Sequence, residues 1–503
     1  MTAVASKVLP SNEILTKIPF GDVEKMKFRT IKSFNRTHNP KNLFDFSKSH
    51  FQIQISDIKS KFVTIFIHID VSHLNEDQKL YLPLLLTLWP NSPIKKNNTV
   101  TSVNDMLRRF HKSLLKLEMT LGYSSIQIKS ECQAEKLEEG VSFLSDLINY
   151  SYFTEKATKR TIMGMLNVET PNAKSIMTAL ADKLYFDNSS CKYFSDHVVQ
   201  KFFLIHLKNK AEDNGEKVLS KLYEIIETIS RPDRCFLHVA ANADNLIEQC
   251  GSYLLIFNSI FLKSSVLPFN ENRRFQLKQA HEYRRQYFDS PRHVGLGLEI
   301  IKSCYLSQSI LYNNTNWLMK TVPATRTLMK YLKNVLFYEV RGKGLAYSIP
   351  LSLSLSTGRI TLKLHKAAQL AAAYKEVMRV FKDYLLGKRL WDGALVDSAK
   401  GALIYSWTAG EESMSGLVSQ ADAAYFRHVD ANYNRMFTKS LDSVNRKSVE
   451  SVAKQILTQF LDADSTQTVI VCNKEKMGEV AQDFAKLGFQ MKLYNSYEDT
   501  TAL

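Results

Sequence analysis

Residues 327–367 read TLMKYLKNVLFYEVRGKGLAYSIPLSLSLSTGRITLKLHKA. Leu328, Tyr331, Leu332, Val335, Leu336 and Val340 recur at helical spacing, so the stretch opens as a helix with one apolar face. Gly342 and Gly344 end it, because glycine reaches the left-handed backbone that helix ends and tight turns need. Leu351, Leu353 and Leu355 then alternate with Ser352, Ser354 and Ser356, and STGR turns the chain back. That pattern predicts a β-hairpin with one polar face. Arg341 stands at the helix end and Tyr347 at the strand start, so the turn brings both to one rim. A helix C-terminus favours arginine through its dipole, and tyrosine suits a strand start, which is a purely structural account. The same two side chains also suit a pair of hydrogen-bond donors aimed at a peptide carbonyl, whose oxygen gains negative charge when the bond is attacked.

Working outward, the quoted region predicts a helix from about 325 to 339, strands at 345–355 and 360–365, and a helix at 368–386. A similar order appears upstream: a helix near 102–119, a strand near 123–130 and a helix near 134–150. FVTIFIHID at 62–70 is the first strong strand, and apolar spacing stays helical from there on to about 229 apart from the strand near 123–130. At RPDRCFLHVAANAD the pattern resets, with a proline turn and a short strand at 235–240, followed by another strand near 298–306. The expected organisation is a lead-in arm (1–45), a first domain (46–230) and a second domain (231–503) carrying the Arg341/Tyr347 element. The expected fold class is α+β: two homologous domains, each a mainly antiparallel sheet covered on one face by helices.

The 503 residues are 45% hydrophobic and 23% charged, the balance of globular proteins. No apolar run is long enough for a membrane span, and the N-terminal stretch lacks the apolar core of a secretory signal. Six cysteines are scattered singly, which points to a reducing compartment, the cytoplasm, with the mitochondrial matrix as the alternative. The net charge of +16 invites an anionic partner. The cations are spread out, however, and the densest cluster, 271–293, is interrupted by Glu271, Glu282 and Asp289. No nucleic-acid motif accompanies them, so nucleic acid is not the expected partner. Serine-nucleophile and phosphate-loop motifs are absent too.

No histidine of the sequence stands in a complete zinc-binding motif. HLNED, His73 to Asp77, contains Glu76 but places aspartate where an inverted zinc motif, HxxEH, needs its second histidine. It reads as a turn leading into a helix start, where Glu76 and Asp77 suit the dipole. HEYRR, His281 to Arg285, puts a cation in a ligand position. His206 and His238 are expected in ordinary packing or surface environments. No residue of this chain is therefore expected to bind metal.

The region 325–386, with AAAYKEVMRVFKDYL after the quoted stretch and FVTIFIHIDVSHLNEDQKLYLPLLLTLW upstream, resembles the C-terminal half of the pitrilysin/insulinase-type (inverzincin) zinc metallopeptidases, presequence-protease-like branch. The resemblance covers most of residues 50–490. It implies one half of a peptidase clamshell that closes on short unstructured peptides. In that family zinc sits on HxxEH in the N-terminal half, so the resemblance implies a zinc-bearing partner half and no cofactor bound by this chain. It also implies that Arg341 and Tyr347 contact the substrate backbone and that this chain is inactive alone. The other reading is a non-catalytic structural or interaction protein derived from the same family.

Overall fold

The computed structural model describes residues 30–112, 115–168, 171–262, 275–285 and 291–502. Most of the expected lead-in arm, residues 1–29, lies outside them, as do parts of the basic cluster at 271–293. Two six-stranded sheets organise the chain. The first contains β1 (Lys32–Phe34), β2 (Gln52–Asp57), β3 (Phe62–Asp70), β4 (Lys116–Leu121), β5 (Ser125–Gln133) and β6 (Cys235–Ala241), in the order β1-β2-β6-β3-β5-β4. The second contains β7 (His293–Leu298), β8 (Cys304–Leu311), β9 (Leu351–Ser354), β10 (Arg359–Ala367), β11 (Thr466–Asn473) and β12 (Lys492–Tyr494), in the order β12-β7-β11-β8-β10-β9.

The two sheets share one plan. Counting five strands from β2 in one and from β7 in the other, both run first–fifth–second–fourth–third. In both, the first and fifth strands are parallel and the remaining pairs antiparallel. The expected class, two related α+β domains with mainly antiparallel sheets, describes this build.

Several boundaries differ from the sequence reading. The strand Cys235–Ala241, expected to open the second domain, lies in the first sheet between β2 and β3. The change of sheet thus falls after it, before His293. Every residue of this strand is buried, so no polar side signalled which sheet it joins. The helix expected over 102–119 stops at Lys112, and Lys116–Leu121 is a strand whose side chains alternate between exposed and half-buried. The single strand expected near 298–306 is two, β7 and β8, with a turn between them.

One face of each sheet carries the main core. Ile65, Ile67, Ile69, Ile126 and Val239 pack beneath Leu82, Leu85, Leu144 and Leu147. Leu306, Ile360, Leu362 and Ile470 pack beneath Leu328, Leu332, Phe381 and Phe460. Removing apolar surface from water is worth about 1.5–3 kcal/mol per such side chain, which makes these faces the main source of cohesion.

The second face of each sheet is covered by a helix from the other half of the chain. Helix Ala173–Tyr185, the first crossing helix, lays Ile176, Met177, Leu180 and Leu184 on Val294, Leu296, Val469 and Val471. Helix Met414–Phe426, the second crossing helix, lays Leu417, Val418 and Ala421 on Phe66 and Ala240. Coverage on one face only, as the sequence suggested, is thus incomplete: the two halves interlock.

Candidate functional site

Helix Thr321–Leu336 does not stop at its apolar face but widens into a π-helical turn, Phe337–Arg341. The Gly342 N–H donates to the Phe337 carbonyl at 3.0 Å and the Leu345 N–H to the Val340 carbonyl at 3.0 Å. The wider turn inserts a residue and re-aims Arg341, as π-turns commonly do. Both glycines are demanded here. A Cβ on Gly342 would run into the Tyr338 carbonyl oxygen, and Gly344 sits at φ +72°.

Two irregularities then face each other across the sheet. Ala346 and Ile349 are both buried in the core, so the two residues between them, Tyr347 and Ser348, turn to the opposite face. On β10, Leu364 and Ala367 are both in the core, leaving His365 and Lys366 on that same opposite face. The register of β8 against β10 shifts at this point, and Lys366 has φ +53°. A β-bulge of this kind re-aims side chains at a sheet edge. The Tyr347 N–H donates to the His365 carbonyl at 3.0 Å, and Ser348 Oγ lies 3.1 Å from His365 Nδ1.

Arg341 and Tyr347 are thereby brought together. The guanidinium carbon stands 4.9 Å from the centre of the Tyr347 ring and 5.0 Å from that of Phe337. Lys366 Nζ approaches the Tyr347 ring at 5.6 Å. Tyr347 remains 60% exposed, so its hydroxyl faces solvent. Neither that hydroxyl nor the Arg341 guanidinium has a hydrogen-bond acceptor among the described residues. An exposed cation–π contact contributes about 0.5–1 kcal/mol, enough to preorganise two donors without consuming them.

The charges nearby divide into two sets. On the outer side of the turn, Lys343 pairs with Glu376 and Glu339, Arg379 with Glu376, Glu339 and Asp383, and Arg389 with Glu339. Hydrogen bonds from Arg379 and Lys343 hold the Glu376 carboxyl down at about 2. On the Tyr347 side, Arg341, Lys363, Lys366 and Lys174 have no carboxylate at ion-pair distance among the described residues.

The residues that came nearest to a zinc motif do not fit one. The helix after His73 begins at Glu76 with Asn75 as its cap, so His73 and Asp77 do not share a helical turn. Asp77 lies 3.4 Å from Lys221. Arg285, in HEYRR, donates through Nε to the Phe186 carbonyl at 2.7 Å. Among the described residues no group of three or more His, Cys, Asp or Glu side chains is placed to hold a metal ion.

Sequence reasoning missed one polar cluster. His68 on β3 and His238 on β6, the latter expected in an ordinary packing or surface environment, both donate to Asp422 of the second crossing helix, at 2.8 Å and 3.1 Å. Gln127 Nε2 donates to the other carboxylate oxygen at 3.1 Å, and His238 Nε2 meets Ser56 Oγ at 2.9 Å. Burial alone would raise the Asp422 carboxyl, but the charge of His68 and the hydrogen bonds from both histidines outweigh it and hold it well below the usual range. A signal did exist. ADKLYF (181–186) in the first crossing helix and ADAAYF (421–426) in the second share Ala, Asp, Tyr and Phe.

No protein-family model matches the chain. The uncharacterized protein C05D11.1 of Caenorhabditis elegans is 20% identical over 493 residues, covering 94% of this chain and 48% of that protein. The uncharacterized protein C3H1.02c of Schizosaccharomyces pombe is 19% identical over 489 residues, covering 90% and 46%. The chain thus spans about half the length of the curated relatives it matches. Among solved structures, the periplasmic protease PqqL of Escherichia coli superposes with a TM-score of 0.61 at 13% identity, over 85% of this chain and 45% of that one. An inactive peptidase M16 domain from Pseudomonas fluorescens gives 0.61 at 13% identity, over 88% of this chain and 98% of that one. The chain has the fold of M16, pitrilysin-type, peptidase domains.

Proposed function

We propose that this chain is the substrate-binding half of an M16-type zinc metallopeptidase acting on short unstructured peptides, with Arg341 and Tyr347 as the contacts to the peptide backbone. The observation that carries the reading is the meeting of two uncommitted donors, the Arg341 guanidinium carbon standing 4.9 Å from the centre of the Tyr347 ring, on an exposed rim held by a π-turn and a β-bulge. Their task is to bind and orient one peptide carbonyl. The phenolic O–H and a guanidinium N–H donate to its oxygen and stabilise the charge that develops there. The zinc ligands belong to a companion half, whether in the same polypeptide or a separate chain, so this chain by itself is inactive. No helix of the described residues is long and apolar enough to cross a membrane. Six free cysteines, five of them buried, favour a reducing compartment, the cytoplasm, with the mitochondrial matrix as the alternative.

A second reading, a non-catalytic interaction protein on the same fold, is favoured by the match to an inactive M16 domain over nearly that whole chain. One experiment separates the two. With the chain joined to its zinc-bearing half, peptide turnover is measured for Tyr347→Phe and Arg341→Lys. Loss of one donor to a developing oxyanion costs about 10²–10³ in rate, and Arg341→Lys loses the planar fork. Unfolding midpoints stay unchanged, because Tyr347 is exposed and its ring is kept. Activity within a few-fold of the parent in both variants would end the backbone-contact assignment.

A further inference from the structure

The Tyr347 rim carries more positive charge than a carbonyl contact needs. Among the described residues, Lys363 Nζ has only Thr178 Oγ1, at 3.3 Å, as a hydrogen-bond acceptor, and Lys174 stands in the first turn of the first crossing helix beside it. Lys366 and Arg341 flank the Tyr347 ring. Beneath these cations His365 is only 8% exposed, and its Nε2 is buried without a hydrogen-bond partner. The contact with Ser348 Oγ occupies Nδ1 and leaves Nε2 as the ring nitrogen that a ligand can reach for. The contrast with the outer side of the same turn is plain, since every cation there has a carboxylate. Asp182, paired with Arg359, acts on Lys363 only from beyond ion-pair distance, and like charges gathered so cost free energy that an incoming anion would recover.

We infer that Lys174, Lys363, Lys366 and Arg341 form a subsite for an acidic side chain, aspartate or glutamate, of the bound peptide, beside the residue whose carbonyl meets Tyr347. The subsite deepens the proposed function and rests on it. Burial, with the charges of Lys174 and Lys363, holds His365 down at about 4, and Lys363 is likewise lowered by burial and by its cationic neighbours. A carboxylate placed among them relieves both. Tyr305, on β8 with its ring centre 6.1 Å from that of His365, closes the remaining side without supplying charge.

The test uses the full chain and two labelled peptides of one sequence, one with glutamates and one with glutamines, followed by fluorescence anisotropy at physiological salt. The glutamate peptide is expected to bind about tenfold more tightly. The double variant Lys174→Gln/Lys366→Gln, at two exposed positions that spare the core, is expected to abolish that preference and leave the glutamine peptide unaffected. Neutralising two exposed lysines elsewhere, Lys447→Gln/Lys454→Gln, is expected to leave the preference intact. Tyr347→Phe is expected to weaken both peptides alike, so it reports on the backbone contact and not on the subsite. Equal binding of the two peptides overturns the subsite alone. A preference that falls equally with either lysine pair overturns it too, because the overall charge of +16 would then suffice. Single-stranded DNA displacing the acidic peptide in a manner dependent on Lys174 and Lys366 would reassign the patch to nucleic acid. Failure of either peptide to bind would overturn the subsite and the proposed function together.

Discussion

The two crossing helices carry the same short motif and put it to different uses. In both, an aspartate follows an alanine and precedes Tyr-Phe by three residues. Asp422 is 4% exposed and accepts from His68, His238 and Gln127 on three strands of the first sheet. Asp182 meets Arg359 of the second sheet in a pair whose side chains are 14% and 27% exposed. Tyr425 stacks on Phe236 at 4.1 Å, whereas Tyr185 donates to the carbonyls of Thr357 and Gly358 at 2.7 and 3.0 Å and lies under Arg359. The motif sets where each helix sits, and the facing strands decide what its aspartate does. On the first sheet the aspartate closes a dry, fully partnered network. On the second it pairs with one arginine, and the cations around Tyr347 have no carboxylate at ion-pair distance among the described residues. The first face reads as structural and the second as the one open to a ligand.

Removing Asp422 tests this contrast most severely. Asp422→Ala strips two buried histidines and the half-buried Gln127 of their acceptor, and breaking a buried charged network by removing one member costs about 3–5 kcal/mol. Urea unfolding should record that loss, with a smaller one for Asp422→Asn. A cost below about 1 kcal/mol would mean that water reaches the cluster and that the two faces are alike.

Acid should act on the two faces in different pH windows. His365 is held at about 4 in the fold by burial and by Lys174 and Lys363, against an ordinary 6.5. The unfolded chain therefore takes up the proton first, and stability falls as the pH drops from about 6.5 to about 4, by at most about 3 kcal/mol. His293, lowered to about 4 by burial and Arg292, adds a slope in the same window. His365→Gln should remove about half of the combined slope. The Asp422 carboxyl is depressed, so its contribution is complete above the ordinary carboxylate range and is lost only below about pH 4. Thermal melts from pH 7 to 3 separate the windows. An unchanged slope in His365→Gln would remove His365 from the account.

The smallest effect belongs to the other aspartate. Asp182→Asn breaks a partly exposed ion pair, worth about 1 kcal/mol or less. If it matched Asp422→Ala in cost, the two helices would be equally structural and the comparison would collapse.

Local pattern was enough for the elements around the candidate site. The apolar spacing from Leu328 to Val340, the two glycines and the Leu/Ser alternation predict the helix, turn and hairpin, and Arg341 and Tyr347 are six residues apart, within reach of one turn. The π-turn, the bulge of β10 and the irregular approach to β9 were not legible, because they depend on Ala346, Ile349, Leu364 and Ala367 all being drawn into one core. The His68–Asp422 contact joins residues 354 positions apart, a separation no periodicity spans.

By itself the sequence carried the α+β class, a helix–strand–helix order that occurs twice and the nearness of one arginine to one tyrosine, since each follows from periodicity or from a turn a few residues long. Tertiary structure alone decided that Cys235–Ala241 completes the first sheet, that each half lends a helix to the other, and which cations keep a carboxylate and which do not. The physical reason is common to all three. A fully buried strand, an amphipathic helix and a lysine each state in sequence how much they must bury or solvate, but not against what. That choice is made only when distant segments compete for the same sheet face.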